Sequence, residues 1–308
     1  MKILQVVNAF KPSWEYGGPA RIAYEVSKVL EERGHDVTAY TTDGRAARLN
    51  VKKNSPVSVD GITTYYFRNL SLLMARHMNI FFPYYMPFVA RREIKTFDVI
   101  HIHEHRSALA IITRHYAKKY NVPYVMQTHG SAIPHFKKIL LKKIFDRLFG
   151  YRIFREATKV IALTDFEAEE YLAMGVAREK IAIIPNGMNL AECDDIKQGR
   201  FRAAYKISEN KKVILFLGRL HEIKGIELLI DAFHELLPEF DDILLVLAGP
   251  DNGFLPAVKK KIESAKIEDK ILLTGQLENP LKMQALADAD IFVLPSKYEA
   301  FPVVVLEA

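Results

Sequence analysis

Short, nearly continuous apolar runs, many of them β-branched, alternate along this chain with stretches whose apolar positions recur every three to four residues. The runs predict strands at 2–7, 36–41, 98–103, 123–127, 159–163 and 181–184, and a second set at 212–217, 242–248, 270–274 and 290–294. Strands that are apolar throughout suit a parallel sheet buried on both faces, and the periodic stretches suit the helices that cover it. Helix punctuation agrees. Apolar residues at 22, 23, 26, 29 and 30 form one face of Pro19 to Arg33, with Gly34 as the stop, and Thr164-Asp165 supply caps before Phe166 to Gly175. Between the two sets the polar segment 191–210 lacks an apolar period and reads as a linker. The pattern therefore predicts two tandem doubly wound α/β domains, 1–190 and 211–308.

Length agrees, since 308 residues suffice for two domains. Hydrophobic residues at 49% and charged residues at 26% exclude a disordered or collagen-like chain, and a single cysteine, Cys193, excludes an intrachain disulfide. The apolar run that follows Met1 is too short for a signal peptide, and the most apolar stretch, 69–90, is broken by Arg76, His77, Pro83 and Pro87. A cytoplasmic protein, soluble or peripheral on the membrane, is the expectation. Charge changes the picture more. Residues 1–190 carry 28 Lys and Arg against 17 Asp and Glu, whereas 191–308 carry 15 against 20. The first half is thus predicted to meet something anionic: nucleic acid, lipid headgroups or a phosphorylated substrate.

Three constellations could carry chemistry. The loop after the first strand ends in Gly17-Gly18-Pro19 with Arg21 beyond. A glycine pair between strand and helix lets backbone N–H groups approach an anion, although the dinucleotide spacing is absent and a plain tight turn is the alternative. Gly218-Arg219 and Lys224-Gly225 flank a loop between a strand and a helix. A guanidinium fork and an ammonium there can converge on a diphosphate, at the strand end where open α/β sheets bind ligands. Finally, Glu299 and Glu307 bracket Phe301, Pro302 and Val303, with Pro302 suited to a helix start. Their carboxylates can accept hydrogen bonds from sugar hydroxyls.

Taken in order, the glycine-pair loop, Thr128-His129-Gly130, Pro185-Asn186-Gly187, the Arg219/Lys224 loop and Glu-x(7)-Glu at 299 and 307 resemble the retaining glycosyltransferases of family four, with their two-domain GT-B architecture. The resemblance spans essentially the whole chain. It implies two Rossmann-like domains, the second truncated, so that the chain ends early and binds its donor more weakly than a completed form. It also implies a nucleotide-sugar donor on the second domain and a carbohydrate or lipid-linked acceptor on the first, with no metal or other cofactor. Arg219 and Lys224 would bind the donor diphosphate, Glu299 the sugar and Glu307 the ribose, with His129 near the reacting carbon; Arg219, Lys224, Glu299 and His129 form the implied catalytic set. Gly18, Gly275, Leu277, Phe301, Pro302 and Val303 join the donor side, and Gly17, Arg21 and His103 the acceptor side. Asn189, Ala300 and Pro302 depart from the usual pattern, which bears on the identity of the sugar.

Other features invite different readings. His101, His103 and His105 alternate as metal ligands on a strand would, but no fourth ligand is evident. Asp288-x-Asp290 is expected to cap or to face solvent. From 136 to 154, Phe136, Leu140, Ile144 and Leu148 oppose Lys138, Lys142, Lys143 and Arg147. A core-packed helix is the default there, and contact with an anionic membrane is the alternative. Two rival functions remain beside sugar transfer, a nucleotide-sugar epimerase and a noncatalytic basic binder of nucleic acid or lipid. The family reading excludes nucleic acid.

Overall fold

A computed structural model of the chain describes residues 1–14, 17–44, 47–78, 80–134, 138–190 and 196–308. The chain divides into two compact units, Met1–Asn186 and Gly187–Ala308. The first holds strands β1 (Lys2–Val6), β2 (Asp36–Thr42), β3 (Pro56–Val59), β4 (Ile62–Phe67), β5 (Val99–His103), β6 (Tyr124–Gln127), β7 (Lys159–Ala162) and β8 (Ile181–Ile183). They form one sheet in the order β3-β4-β2-β1-β5-β6-β7-β8. Every pairing is parallel except β3 with β4. That hairpin was not expected from the sequence pattern. β3 alternates exposed and half-buried positions at the sheet edge, so it never shows the continuous apolar run of a central strand.

Period-two alternation sorts the first unit's side chains to two cores. Leu4, Val6, Ile100 and Ile102 face helices α2 (Met86–Glu93), α3 (Ala108–Tyr120), α5 (Tyr151–Glu156) and α6 (Asp165–Ala173). Val37 and Ala39 face α1 (Gly18–Glu32) on the other side, with Phe10, Ala23 and Tyr24. Gln5 pairs with Ala39 and His101 in register, so the same face carries a polar row, Gln5, His101, His103 and Gln127, in the middle of the sheet.

The second unit repeats the scheme with β9 (Lys212–Leu217), β10 (Ile243–Ala248), β11 (Ile271–Gly275) and β12 (Ile291–Phe292), all parallel in the order β11-β10-β9-β12. Ile214 and Phe216 pack on α8 (Ile226–Leu236) and α9 (Leu255–Ala265). Val213 and Leu215 pack on α7 (Arg200–Ala204) and α10 (Leu281–Asp288). Helices thus cover both faces, as the doubly wound expectation required. The expected linker, 191–210, contains α7, whose Phe201 is fully buried in the second core; residues 191–195, Cys193 among them, lie outside the described residues.

One expectation fails at 139–151. Over α4 (Ile139–Phe145) and the π-helical turn Asp146–Gly150, the buried positions are Asp146 and Gly150, whereas Ile139, Leu140, Leu141, Ile144, Leu148 and Phe149 are exposed, Leu140 by 71%. The default of a core-packed apolar face is overturned because the inward position is taken by a carboxylate with its own partners. Phe136 lies outside the described residues. Among the described residues no helix is long and apolar enough to cross a membrane.

Candidate active site

In the second unit the ligand end of the sheet is built from backbone before side chains. Gly218, Gly249 and Gly275 stand at the carboxyl ends of the adjacent strands β9, β10 and β11. Gly218 N–H donates to the Ala248 carbonyl at 2.9 Å and Gly249 N–H to the Gly275 carbonyl at 2.7 Å. A Cβ on Gly249 would lie 1.8 Å from the Gly218 oxygen, so only glycine fits. Leu220 N–H then bonds the Pro250 carbonyl and Asn252 N–H the Leu220 carbonyl, tying the first two loops together.

Onto this frame come the side chains. Arg219 and Lys224 are both half-buried, Lys224 closing a short turn, Glu222–Lys224, whose start is capped by His221 Nδ1 accepting from Ile223 N–H at 3.1 Å. Lys224 forms an ion pair with Glu299, and Ser296 Oγ donates to the same carboxylate oxygen at 2.7 Å. Lys297 N–H reaches the Ile223 carbonyl at 2.8 Å, which brings the loop after β12 against the loop after β9. Two of the three expected site segments therefore meet. Phe301 and Pro302 are half-buried before α11 (Val303–Glu307). Glu307 pairs with Lys282 of α10 at 2.7 Å with both side chains 9% exposed, a partner that the motif did not suggest. Leu277 packs with the core around Phe201, and Gly275 is exposed at φ +71°.

Asp288 and Asp290 are spoken for. Asp288 caps α7 by accepting from the Arg202 N–H at 3.0 Å, and Asp290 accepts from Val213 N–H and pairs with Arg202 and Lys212. Their role is to hold α7 on β9. Asp251 uses one oxygen to accept from Gly253, Phe254 and Leu255 N–H at 2.8–3.0 Å, which holds its carboxyl below the ordinary value.

In the first unit the strand ends gather a different set. Gly17, at φ +82°, leads into α1, whose first turn carries no acidic residue and no side-chain cap. A Cβ on Gly18 would meet nothing, so the positive φ at Gly17 is the constraint the pair satisfies. Glu15 and Tyr16 of this loop lie outside the described residues. Arg21 is half-buried within the helix. Glu104 turns the chain at φ +65°, ending β5, and accepts from Asn8 Nδ2 at 2.8 Å. That turn breaks the histidine alternation. His101 and His103 lie against each other with centroids 4.0 Å apart and rings tilted by 36°, while His105 points away to Asp146 at 3.2 Å and to Phe154. Among the described residues no group of three or more His, Cys, Asp or Glu could hold a metal ion.

His129 occupies a left-handed turn, φ +53°, with Gly130 at +77°. Glu167 locks it. Its carboxylate accepts from Gly130 N–H at 2.6 Å, Thr128 Oγ1 at 2.9 Å and Leu163 N–H at 2.7 Å. Arg106 bridges Asp146 to the Ala132 carbonyl, fixing the loop's far side. Burial would raise the Asp146 carboxyl, but the bonds from His105 and Arg106 and the Arg106 charge hold it below the ordinary value. Burial also depresses the histidines: His101 to about 4, His129 to about 3, and His103 well below the usual range. The rings are neutral at pH 7. Glu167, Gln5, Gly249, Ser296 and Lys282 escaped sequence reasoning; the spacing of Glu167 three residues after the Thr164 cap was the available signal for one of them.

The sequence profile described as Glycosyltransferase Family 4 matches residues 16–192, and that of Glycosyl transferases group 1 matches 197–308. The chain belongs to glycosyltransferase family 4. It is a glycosyltransferase, and the epimerase and passive-binder readings are not favoured. Relatives include an uncharacterized glycosyltransferase of Methanocaldococcus jannaschii, 26% identical over 96% of this chain and 76% of its own. The N-acetyl-alpha-D-glucosaminyl L-malate synthase of Bacillus anthracis is 25% identical over 95% and 73%. Among solved structures, Anabaena HepE with UDP and glucose superposes with TM-score 0.76 at 18% identity, over 100% of this chain and 78% of that one. The sucrose-phosphate synthase of Thermosynechococcus elongatus follows at TM-score 0.74 and 17%, with the same shares covered. The shared fold is GT-B.

Proposed function

We propose that the chain is a retaining, metal-independent transferase whose donor diphosphate binds Arg219 and Lys224 in the second unit, with the acceptor, a carbohydrate or lipid-linked glycan, on the basic first unit. The observation that carries this reading is the meeting of the Lys224 turn with the Glu299 loop over a glycine frame. As the glycosidic bond to phosphate breaks, negative charge develops on the leaving oxygens, and two fixed cations stabilise it. The acceptor hydroxyl attacks from the side of the departing diphosphate, which takes its proton. Glu299 accepts from sugar hydroxyls and Glu307 from the ribose. HepE was crystallised with UDP and glucose, so UDP-glucose is the first donor to try.

Losing one charge-assisted contact costs about 1.5–3 kcal/mol, so Arg219→Ala or Lys224→Ala should weaken UDP roughly 10- to 150-fold in calorimetry. Lys211→Ala, whose ammonium holds the Asp241 carbonyl, should leave it unchanged. Equal affinity in all three would reject the assignment, and sugar transfer abolished by EDTA and restored by manganese would reject its metal-free part.

The exposed apolar row Ile139 to Phe149, with Lys138, Lys142, Lys143 and Arg147 beside it, supports a second part of the reading, attachment to an anionic membrane at the cytoplasmic face. Each near-surface cation adds about 1 kcal/mol. Wild type should sediment with phosphatidylserine vesicles at low salt and a Lys138→Glu, Lys142→Glu, Lys143→Glu variant should not. A wild type that stays in solution would remove the membrane from the reading.

A further inference from the structure

His129 is held by more than its backbone. Its Nε2 lies 2.8 Å from His103 Nδ1, and the two rings are 6° from parallel with centroids 5.1 Å apart, the geometry of imidazoles meeting edge to edge in one plane. On the far side, His103 Nε2 lies 2.9 Å from Gln5 Oε1. Gln5 and His103 are each 1% exposed, whereas His129 is half-buried.

A neutral imidazole carries one N–H, and a carbonyl oxygen only accepts. Burial keeps both rings neutral, and the neighbouring His101 ring adds to that preference. The protons then have one consistent order. His103 must donate from Nε2 to Gln5, so its Nδ1 is bare and accepts from His129 Nε2–H. His129 Nδ1 is in turn left with its lone pair, and no described residue engages it.

We propose that Gln5 and His103 are positioning residues that hold His129 in the tautomer protonated at Nε2, keeping Nδ1 as a hydrogen-bond acceptor at the strand ends of the first unit. Glu167 fixes the turn and the relay fixes the ring, so that acceptor needs no reorganisation.

Imidazole nitrogen NMR on the full chain, with His129 assigned through His129→Gln, tests it. At pH 7 His129 should show its proton on Nε2. Gln5→Leu removes the acceptor and should move His129 toward the Nδ1–H form, whereas Gln5→Glu, which still accepts, should restore Nε2–H. A proton on Nδ1 in the wild type overturns the relay, even if Gln5→Leu does not fold, and so does an unchanged tautomer in folded Gln5→Leu.

Discussion

Lowering the pH from about 7.5 to about 5 is expected to destabilise the first unit by several kcal/mol, well before carboxylates titrate. His101, His103 and His105 are buried, and burial depresses all three, His101 and His105 to about 4. In the unfolded chain they take up protons near pH 6.5. Between about pH 6.5 and about 4 the unfolded state therefore binds more protons than the folded one, and stability falls with pH by about 1.4 kcal/mol per unit for each histidine. Above about 6.5 both states are neutral and the effect vanishes. Asp146 works in a lower window, because its depressed carboxyl stabilises the fold until the pH falls through that lowered value. Trp14, the sole tryptophan, packs edge-on against Tyr24 in this unit, so its fluorescence in urea titrations reports the loss directly. A denaturation midpoint that stays flat from about pH 7 to about pH 5 would mean that these histidines are charged or hydrated in solution.

Gly249→Ala should be the most damaging small substitution in the second unit. The new Cβ would sit 1.8 Å from the Gly218 oxygen and 2.6 Å from its carbon, both backbone, at φ +146°. Neither atom can rotate away. Strain of about 1–3 kcal/mol adds to an overpacking cost of about 1–3 kcal/mol, so a loss of roughly 2–6 kcal/mol is expected. Because relief requires Gly218 and with it Arg219 to move, UDP binding should weaken together with stability. Gly18→Ala is the contrast: its Cβ meets nothing and its φ is not positive, so its stability should be unchanged or slightly raised. A Gly249→Ala protein with wild-type unfolding by near-ultraviolet circular dichroism would show that the strand ends are looser than their spacing implies.

The sheets were legible where strands are buried on both faces, since Ile214 and Phe216 on one side and Val213 and Leu215 on the other leave no polar position to obscure the run. The β3–β4 hairpin was not: β3 is an edge strand that needs only half its residues apolar, and β4, although buried, carries Thr63 and Thr64 where a continuous apolar run would stand. Among site residues, Arg219, Lys224 and Glu299 announced themselves by position in loops after strands, and two of these side chains form an ion pair. Gln5, Glu167 and Lys282 did not, since each acts on a residue far away in sequence: His103 at a separation of 98, Gly130 at 37 and Glu307 at 25. Local pattern carries no information about such partners. The amphipathic stretch misled for a related reason: helical periodicity shows that one face differs from the other, but it was Arg106 and His105, some forty residues earlier, that drew Asp146 and not the leucines inward.

Asp251 has a consequence for where an incoming anion can go. Its carboxylate already occupies the N–H groups of Gly253, Phe254 and Leu255 as α9 begins, so the protein supplies its own negative charge at the one point where the loop after β10 would otherwise attract it. A phosphate arriving at the strand ends meets a closed berth there, whereas the loop after β9 presents the cations Arg219 and Lys224. The internal carboxylate thus works by exclusion, closing the loop after β10 to a second negative charge.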